Sequence, residues 1–477
     1  MNQHPADASV QKVLRATGSN VMTVEAVRPL PSARLQRVYE VKLVDHDPLV
    51  LVLEPPAMLR LLRSEQWLIR SEAEAARWIR SALSGGDRAA PIDGRILCDE
   101  LECISSSTGG RASEKYVAES ADDLDLLKLL PSLLCHSQAS NVLGSAFNLL
   151  SRTPGQAISS LPKPLTGTER KHVDFETGRL VRRLSQLTSP SGKFGPLVAV
   201  LTPPPDFKPL GGADNACPFY GQGASNWSAA FQSILEGVLR DGEDMAVTVA
   251  YSAIRRHFRR FGHLLDGVTI PRLVIIDAAE DSNTMVVLSR TGDPQLLRDA
   301  RLDIHELCRD EDDFDEQQKT PGEESTGTTS EVVVAGLRDW SSCIFADPLM
   351  ATVFCTQPSA EFYRGFSGRT RDGKDDETRP EFDLIEDRDS ADIRLLLYQC
   401  YHATSAIVRE FYRPQIDSTS RELAARRKLS EVLAKLERVE EDPKRRHRRP
   451  SAELSPAKRP KSADHDGNTR GAQNKSG

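Results

Sequence analysis

Two apolar runs in the second half of the chain, Leu273-Val274-Ile275-Ile276 and Val332-Val333-Val334-Ala335-Gly336-Leu337, each lead into an aspartate, Asp277 and Asp339. Short apolar runs of this kind read as buried strands, and an acid placed just after one is displayed by the loop that follows. What precedes them narrows the fold. Residues 37–54, RVYEVKLVDHDPLVLVLE, are two β-rich runs around an Asp/Pro turn and predict a β-hairpin. PPAMLRLLRSEQWLIRSEAEAARWIRSAL follows, apolar at helical spacing after a Pro-Pro break. A polar stretch, residues 84–122, reads as a surface insertion. A second β-rich region then runs to Pro154-Gly155.

Beyond Gly155 the pattern is mainly helical, with helices expected around 169–187, 227–239 and 248–261 and in DIRLLLYQCYHATSAIVREFYRP. The order predicts an α+β chain: a first lobe over 1–150 and a helical lobe over 151–415. A charged helix over 416–442 carries Leu423, Leu429, Leu433 and Leu436 on one stripe, and 443–477 forms a disordered basic tail. Within the helical lobe, the acidic stretch within 293–330 has too few apolar residues to pack and lacks the alternating Asp and central Gly of a calcium loop.

The composition excludes several classes. A formal charge of −7 argues against non-specific nucleic-acid binding by the chain as a whole. No apolar run approaches the roughly 18 residues that a membrane span needs. Eight scattered cysteines without a CxxC read as reduced thiols of an intracellular protein.

Seven strings in order resemble the fungal branch of the aminoglycoside-phosphotransferase family: RVYEVKL, PPAMLRLLRSEQWLIRSEAEA, FNLLSRTPG, GRLVRRLSQLTSPSGKFGP, PRLVIIDAAEDSN, GLRDWSSCIFADPLM and RLLLYQCYHATSAIVREFYR. The resemblance implies a two-lobed protein-kinase-like fold of the aminoglycoside-phosphotransferase type. It implies transfer of the γ-phosphate of ATP, with Mg2+, to the hydroxyl of a small molecule in secondary metabolism. In that scheme Asp277 is the general base, and Asn283 (or Asp281 or Ser282 in its place) and Asp339 are the magnesium ligands. Asp347 ties down the loop after Asp339. The lysine that holds the nucleotide falls at Glu54, with Lys42 as a substitute from the neighbouring strand, and its helix partner at Glu72, with Glu65 as the alternative.

Three positions depart from the family pattern: Glu54 in place of lysine, Ile275 in place of histidine, and Asn283 one residue late. A carboxylate at the lysine position repels phosphate. The second reading is therefore a kinase-shaped binding or regulatory protein, a pseudokinase, without transfer activity. The two-part basic cluster of the tail, 444–449 and 458–461, suits an import carrier, so the expected location is cytoplasmic or nuclear.

Overall fold

The run Leu49-Val50-Leu51-Val52-Leu53 does not alternate with polar residues, so a strand made of it needs cover on both faces. The computed structural model describes residues 4–17, 21–84, 102–103, 126–201, 223–288, 332–368 and 384–439. There β3 (Leu49–Leu53) lies inside a six-stranded antiparallel sheet. The strand order is β1 (Val24–Pro29), β2 (Arg37–Leu43), β3, β6 (Phe147–Ser151), β5 (Leu133–Ser137) and β4 (Glu102–Cys103). Leu49, Leu51 and Leu53 pack with Val10, Val13 and Leu14 of helix α1 (Asp7–Ala16). On the other face Val52 meets Ile69, Ala73 and Ala76 of helix α2 (Leu68–Leu83). Each fully buried aliphatic side chain contributes about 1.5–3 kcal/mol, so β3 is the spine of this lobe.

A symmetric turn in this hairpin would set Glu54 opposite Tyr39, and the observed register differs. Tyr39 pairs with Leu51 and Arg37 with Leu53. β3 stops there, and Glu54 is exposed, with its backbone N–H donating to Ala146 O at 3.1 Å. The sequence reading assigned no element before residue 37, whereas α1 and β1 occupy that stretch. Side chains hold the two together: Asp7 Oδ1 accepts from Val27 N at 2.9 Å, and Gln11 bonds Met22 O and Val24 N at 3.0 and 2.7 Å. The expected insertion supplies the edge strand Glu102–Cys103, paired with Cys135 and His136.

After Gly155 come two small antiparallel sheets and the helices. One sheet is β11 (Val332–Leu337), β10 (Thr284–Leu288) and β7 (Gln156–Ala157); the other is β8 (Gly195–Pro196), β12 (Cys343–Ala346) and β9 (Arg272–Ile275). Helix α3 (Gly167–Gln186) starts at a capping box in which Thr166 and Glu169 satisfy each other's backbone N–H groups. It crosses α6 (Ala360–Ser367) at two glycines. A Cβ on Gly178 would lie 2.2 Å from Phe362 O, and one on Gly365 2.0 Å from Phe175 O. Helices α4 (Trp227–Asp244), α5 (Tyr251–Phe261) and α7 (Arg388–Tyr412) surround an aromatic cluster of Trp227, Phe231 and Tyr398. In α8 (Ser418–Arg438) the buried stripe is Leu429, Val432 and Leu436, while Leu423 is 49% exposed. Leu429 and Leu436 of the expected stripe are thus buried, Val432 joins them, and Leu423 falls outside it.

This is an α+β, two-lobed, protein-kinase-like architecture. Residues 1–436 form one compact unit and a second begins at Glu437. The acidic stretch within 293–330 and the basic tail lie outside the described residues. Among the described residues no helix is long and apolar enough to cross a membrane.

Candidate active site

β9 and β12 pair directly, Ile275 opposite Cys343, so the residues just beyond them converge. Asp277 heads the turn after β9, and its Oδ1 accepts a hydrogen bond from Ser342 Oγ just before β12. The turn closes through Ala278 N to Ile275 O and Glu280 N to Asp277 O, at 3.2 and 3.0 Å. It ends at Asn283, the entry to β10. Asn283 and Asp339 then clasp: Asp339 N donates to Asn283 Oδ1 at 2.7 Å, and Asn283 Nδ2 donates to Asp339 O at 3.1 Å. The Asp339 carboxylate is turned by Ser341 N, which donates to Oδ1 at 2.8 Å. The turn after β9 and the segment after β11 thus bring two acids to one cavity of about 560 Å³, which Asp277 and Asp339 both line.

The cation at this site is Arg34, from the turn between β1 and β2. Its Nη2 lies 2.6 Å from Glu72 Oε1 and its Nε 3.0 Å from Asp339 Oδ2, and Nη1 donates to Arg338 O at 3.1 Å. The guanidinium thus ties α2 of the first lobe to the segment after β11. Its turn is laid onto that segment by Gln36 Nε2 to Ser341 Oγ at 3.3 Å and Arg338 Nη2 to Pro31 O at 3.3 Å. Glu72 is fixed from behind. Asn148 Nδ2, on β6, donates to Glu72 Oε2 at 2.9 Å and to Ile69 O at 2.8 Å, and Asn148 Oδ1 is bonded to His136.

The electrostatics follow from burial. Burial alone would lower the Arg34 guanidinium, but Asp339 and Glu72 outweigh it and hold it above its ordinary value. Burial raises the Glu72 carboxyl, with Arg34 opposing the shift. Burial, and then the charge of Asp339, push Asp277 up to about 7. One arginine faces three carboxylates, so the site has negative charge to spare.

The sequence-derived residues are placed as follows. Asp277, Asn283, Asp339 and Glu72 are gathered here. Glu65 is turned away into a two-pronged pair with Arg413, at 2.6 and 2.7 Å. Asp281 is held by Arg170 Nη1 at 2.7 and 2.9 Å, outside the clasp that Asn283 makes. Glu54 lies outside the cluster, exposed, with Ser145 Oγ 3.4 Å from its carboxylate. Ile275 is a core residue of β9. Arg34 is not singled out by the sequence, because a lone arginine in a turn without glycine carries no distinguishing pattern. Asp347 is buried on Arg394 Nε at 2.9 Å and Tyr398 OH at 2.8 Å, beneath the site and not in it.

Fold and cluster together bring a glutamate, a cation and two aspartates to one cavity between the two lobes. No protein-family model and no curated protein matches the chain. Among solved structures it is similar to a candidate fructosamine-3-kinase from Thermobifida fusca, with TM-score 0.45, 11% identity, and 91% of this chain and 100% of that one covered. A candidate aminoglycoside phosphotransferase from Ralstonia eutropha gives TM-score 0.44 and 10% identity over 92% and 100%. The GDP complex of aminoglycoside 2'-phosphotransferase-IIIa gives 0.42 and 12% over 90% and 99%.

Proposed function

We propose that this chain is an ATP-dependent phosphotransferase acting on the hydroxyl of a small molecule, with Arg34 in the place usually taken by a lysine. The observation that supports it is the double pairing of Arg34 with Glu72 and Asp339. A phosphoryl-transfer site needs a phosphate-binding cation held by a helix glutamate, a metal-binding acid and a base. The cluster supplies one of each. Of the three sequence departures that favoured a pseudokinase, Glu54 stands outside the cavity and Asn283 is clasped to Asp339 despite its extra residue.

The residues fit a hard divalent cation. Asp339 and Asp277 offer carboxylate oxygens, and Asp277 is driven up first by burial and then by the charge of Asp339. Asp339 would hold the metal, with Asn283 acting through its grip on the Asp339 backbone. Magnesium held there would neutralise charge on the phosphates. Arg34 carries five N–H donors, one on Nη1 and one on Nη2 being engaged by protein, so it can turn donors towards phosphate while Glu72 fixes its stem. Asp277 accepts the proton of the acceptor hydroxyl, oriented by Ser342. A secondary-metabolite acceptor belongs to this proposal.

Magnesium-ATP should raise the melting temperature of the wild type, because a ligand bound only to the native state stabilises it. Arg34→Met should remove that gain and Arg34→Lys keep part of it. Asp277→Asn should still bind nucleotide but lose about 10²–10⁴-fold in ADP release. Glu54→Lys should leave nucleotide affinity unchanged. A wild type that gains no stability at any accessible magnesium-ATP concentration would sink the proposal, and the kinase-shaped binding protein would be the surviving reading.

A further inference from the structure

The cavity does not stop at the aspartates; it extends along α7 towards Gln415. Tyr401, His402, Ser405 and Arg409 line it at a spacing of three to four residues, the signature of one helix face. His402 stands near the catalytic turn: its Nε2 bonds Met350 O at 2.9 Å, and Thr352 two residues on donates to Ile276 O through N and Oγ1 at 2.8 and 3.0 Å. Burial pushes His402 down to about 4, so it is neutral at physiological pH. Arg409 lies seven residues further, about 10 Å along the helix.

The other cations of this wall are matched. Arg63 is paired with Asp241 and Asp244 at 2.5 and 2.8 Å, Arg413 with Glu65, and Arg421 with Glu410 at 2.8 Å. Arg409 alone has no carboxylate within ion-pair distance among the described residues. The two wall acids at this end, Glu65 and Glu410, are both taken. Between the ends the wall is apolar, with Pro196, Val198 and Ile234. At this end a cationic group would find no free carboxylate, whereas an anion would find one free guanidinium.

We propose that Arg409 is a specificity residue, and that the acceptor carries an anionic group, a carboxylate, on an apolar spacer that runs from the hydroxyl presented to Asp277 past His402 to Arg409, about 10 Å beyond His402 along α7. This takes the phosphotransferase reading as its starting point. Nothing in it requires a group on the acceptor to be cationic.

The test is calorimetric titration of ω-hydroxydecanoate into the full chain with magnesium and ADP present, since this probe spans a hydroxyl and a carboxylate through an apolar chain. Arg409→Ala should weaken its binding about tenfold, as expected for one exposed charge-assisted contact, and Arg409→Lys should recover part. Decanediol, which lacks the carboxylate, should bind wild type and Arg409→Ala alike. Equal affinity of wild type and Arg409→Ala for the hydroxy acid would overturn the assignment. So would failure of the hydroxy acid to bind wild type, or tighter binding of ω-aminodecanol. If magnesium-ADP does not bind but the Arg409-dependent carboxylate affinity persists, the phosphotransferase reading falls and this one stands. If nucleotide binds and the carboxylate is ignored, the reverse holds.

Discussion

Two arginines are buried in this molecule against aspartates that follow β-strands, and they are finished differently. Arg394 is sealed: Nε meets Asp347, Nη1 donates to Asp387 O and Ser390 Oγ at 2.7 and 2.8 Å, and Nη2 to Glu386 O at 2.6 Å. Its acid is equally served, by Leu349 N and by Tyr398 OH, which in turn accepts from Trp227 Nε1 at 2.7 Å. Arg34 faces a cavity, pairs with Glu72 and Asp339, and forms no ion pair with Asp277. A buried pair with every lone pair answered holds structure together. One with charge left over is prepared for something that arrives from outside.

The contrast can be broken in order of expected effect. Arg394→Met strands Asp347 in the core and should cost about 3–5 kcal/mol, read as a fall in melting temperature that magnesium does not repair. Arg34→Met should cost less, about 1–3 kcal/mol, because Asp339 borders the cavity and Glu72 can take up a proton. Millimolar magnesium should recover part of that loss, and equal losses with no recovery would erase the distinction between the two arginines.

Asp277→Asn should raise stability. A carboxyl held at about 7 in the native state and near 3.9 unfolded keeps its proton longer when folded, so wild-type stability falls as pH rises from about 4 to about 7. The amide cannot titrate. In chelator its profile should be flatter across that window, with a gain of about 1–2 kcal/mol at pH 8. No gain would mean that Asp277 is not electrostatically isolated. His402→Gln is the smallest change, about 1 kcal/mol. With His402 near 4 folded and about 6.5 unfolded, stability is lost as pH falls through that interval, and the variant should lose less of it.

Residues at strand ends were legible from sequence and residues that arrive by tertiary folding were not. Asp277 and Asp339 could be singled out because an apolar strand leads into each. Glu72 was preferred and Glu65 kept as its alternative, since seven residues apart they would share a helical face; the short turn Arg63–Glu65 that precedes α2 removes Glu65 from that face. Glu54 takes the lysine position only through the family resemblance, and because β3 ends at Leu53 it stands exposed outside the site. Arg34 reaches Glu72, 38 residues on, and Asp339 beyond, through folding alone. α1 was missed because its buried stripe, Val10, Val13 and Leu14, is barely one turn long.

The crossing of α3 and α6 has a consequence for anyone who maps this molecule by substitution. Gly178 and Gly365 sit on helices that contribute nothing to the cavity, yet each leaves room only for the other helix's carbonyl. A saturation library should reject even alanine at both. No second change at the partner glycine can rescue either one, because each is obstructed by backbone. Such a map would show two blank columns as dark as those of Asp277 and Asp339, and loss of fold at the first pair would have to be told apart from loss of chemistry at the second by measuring how much protein each variant yields.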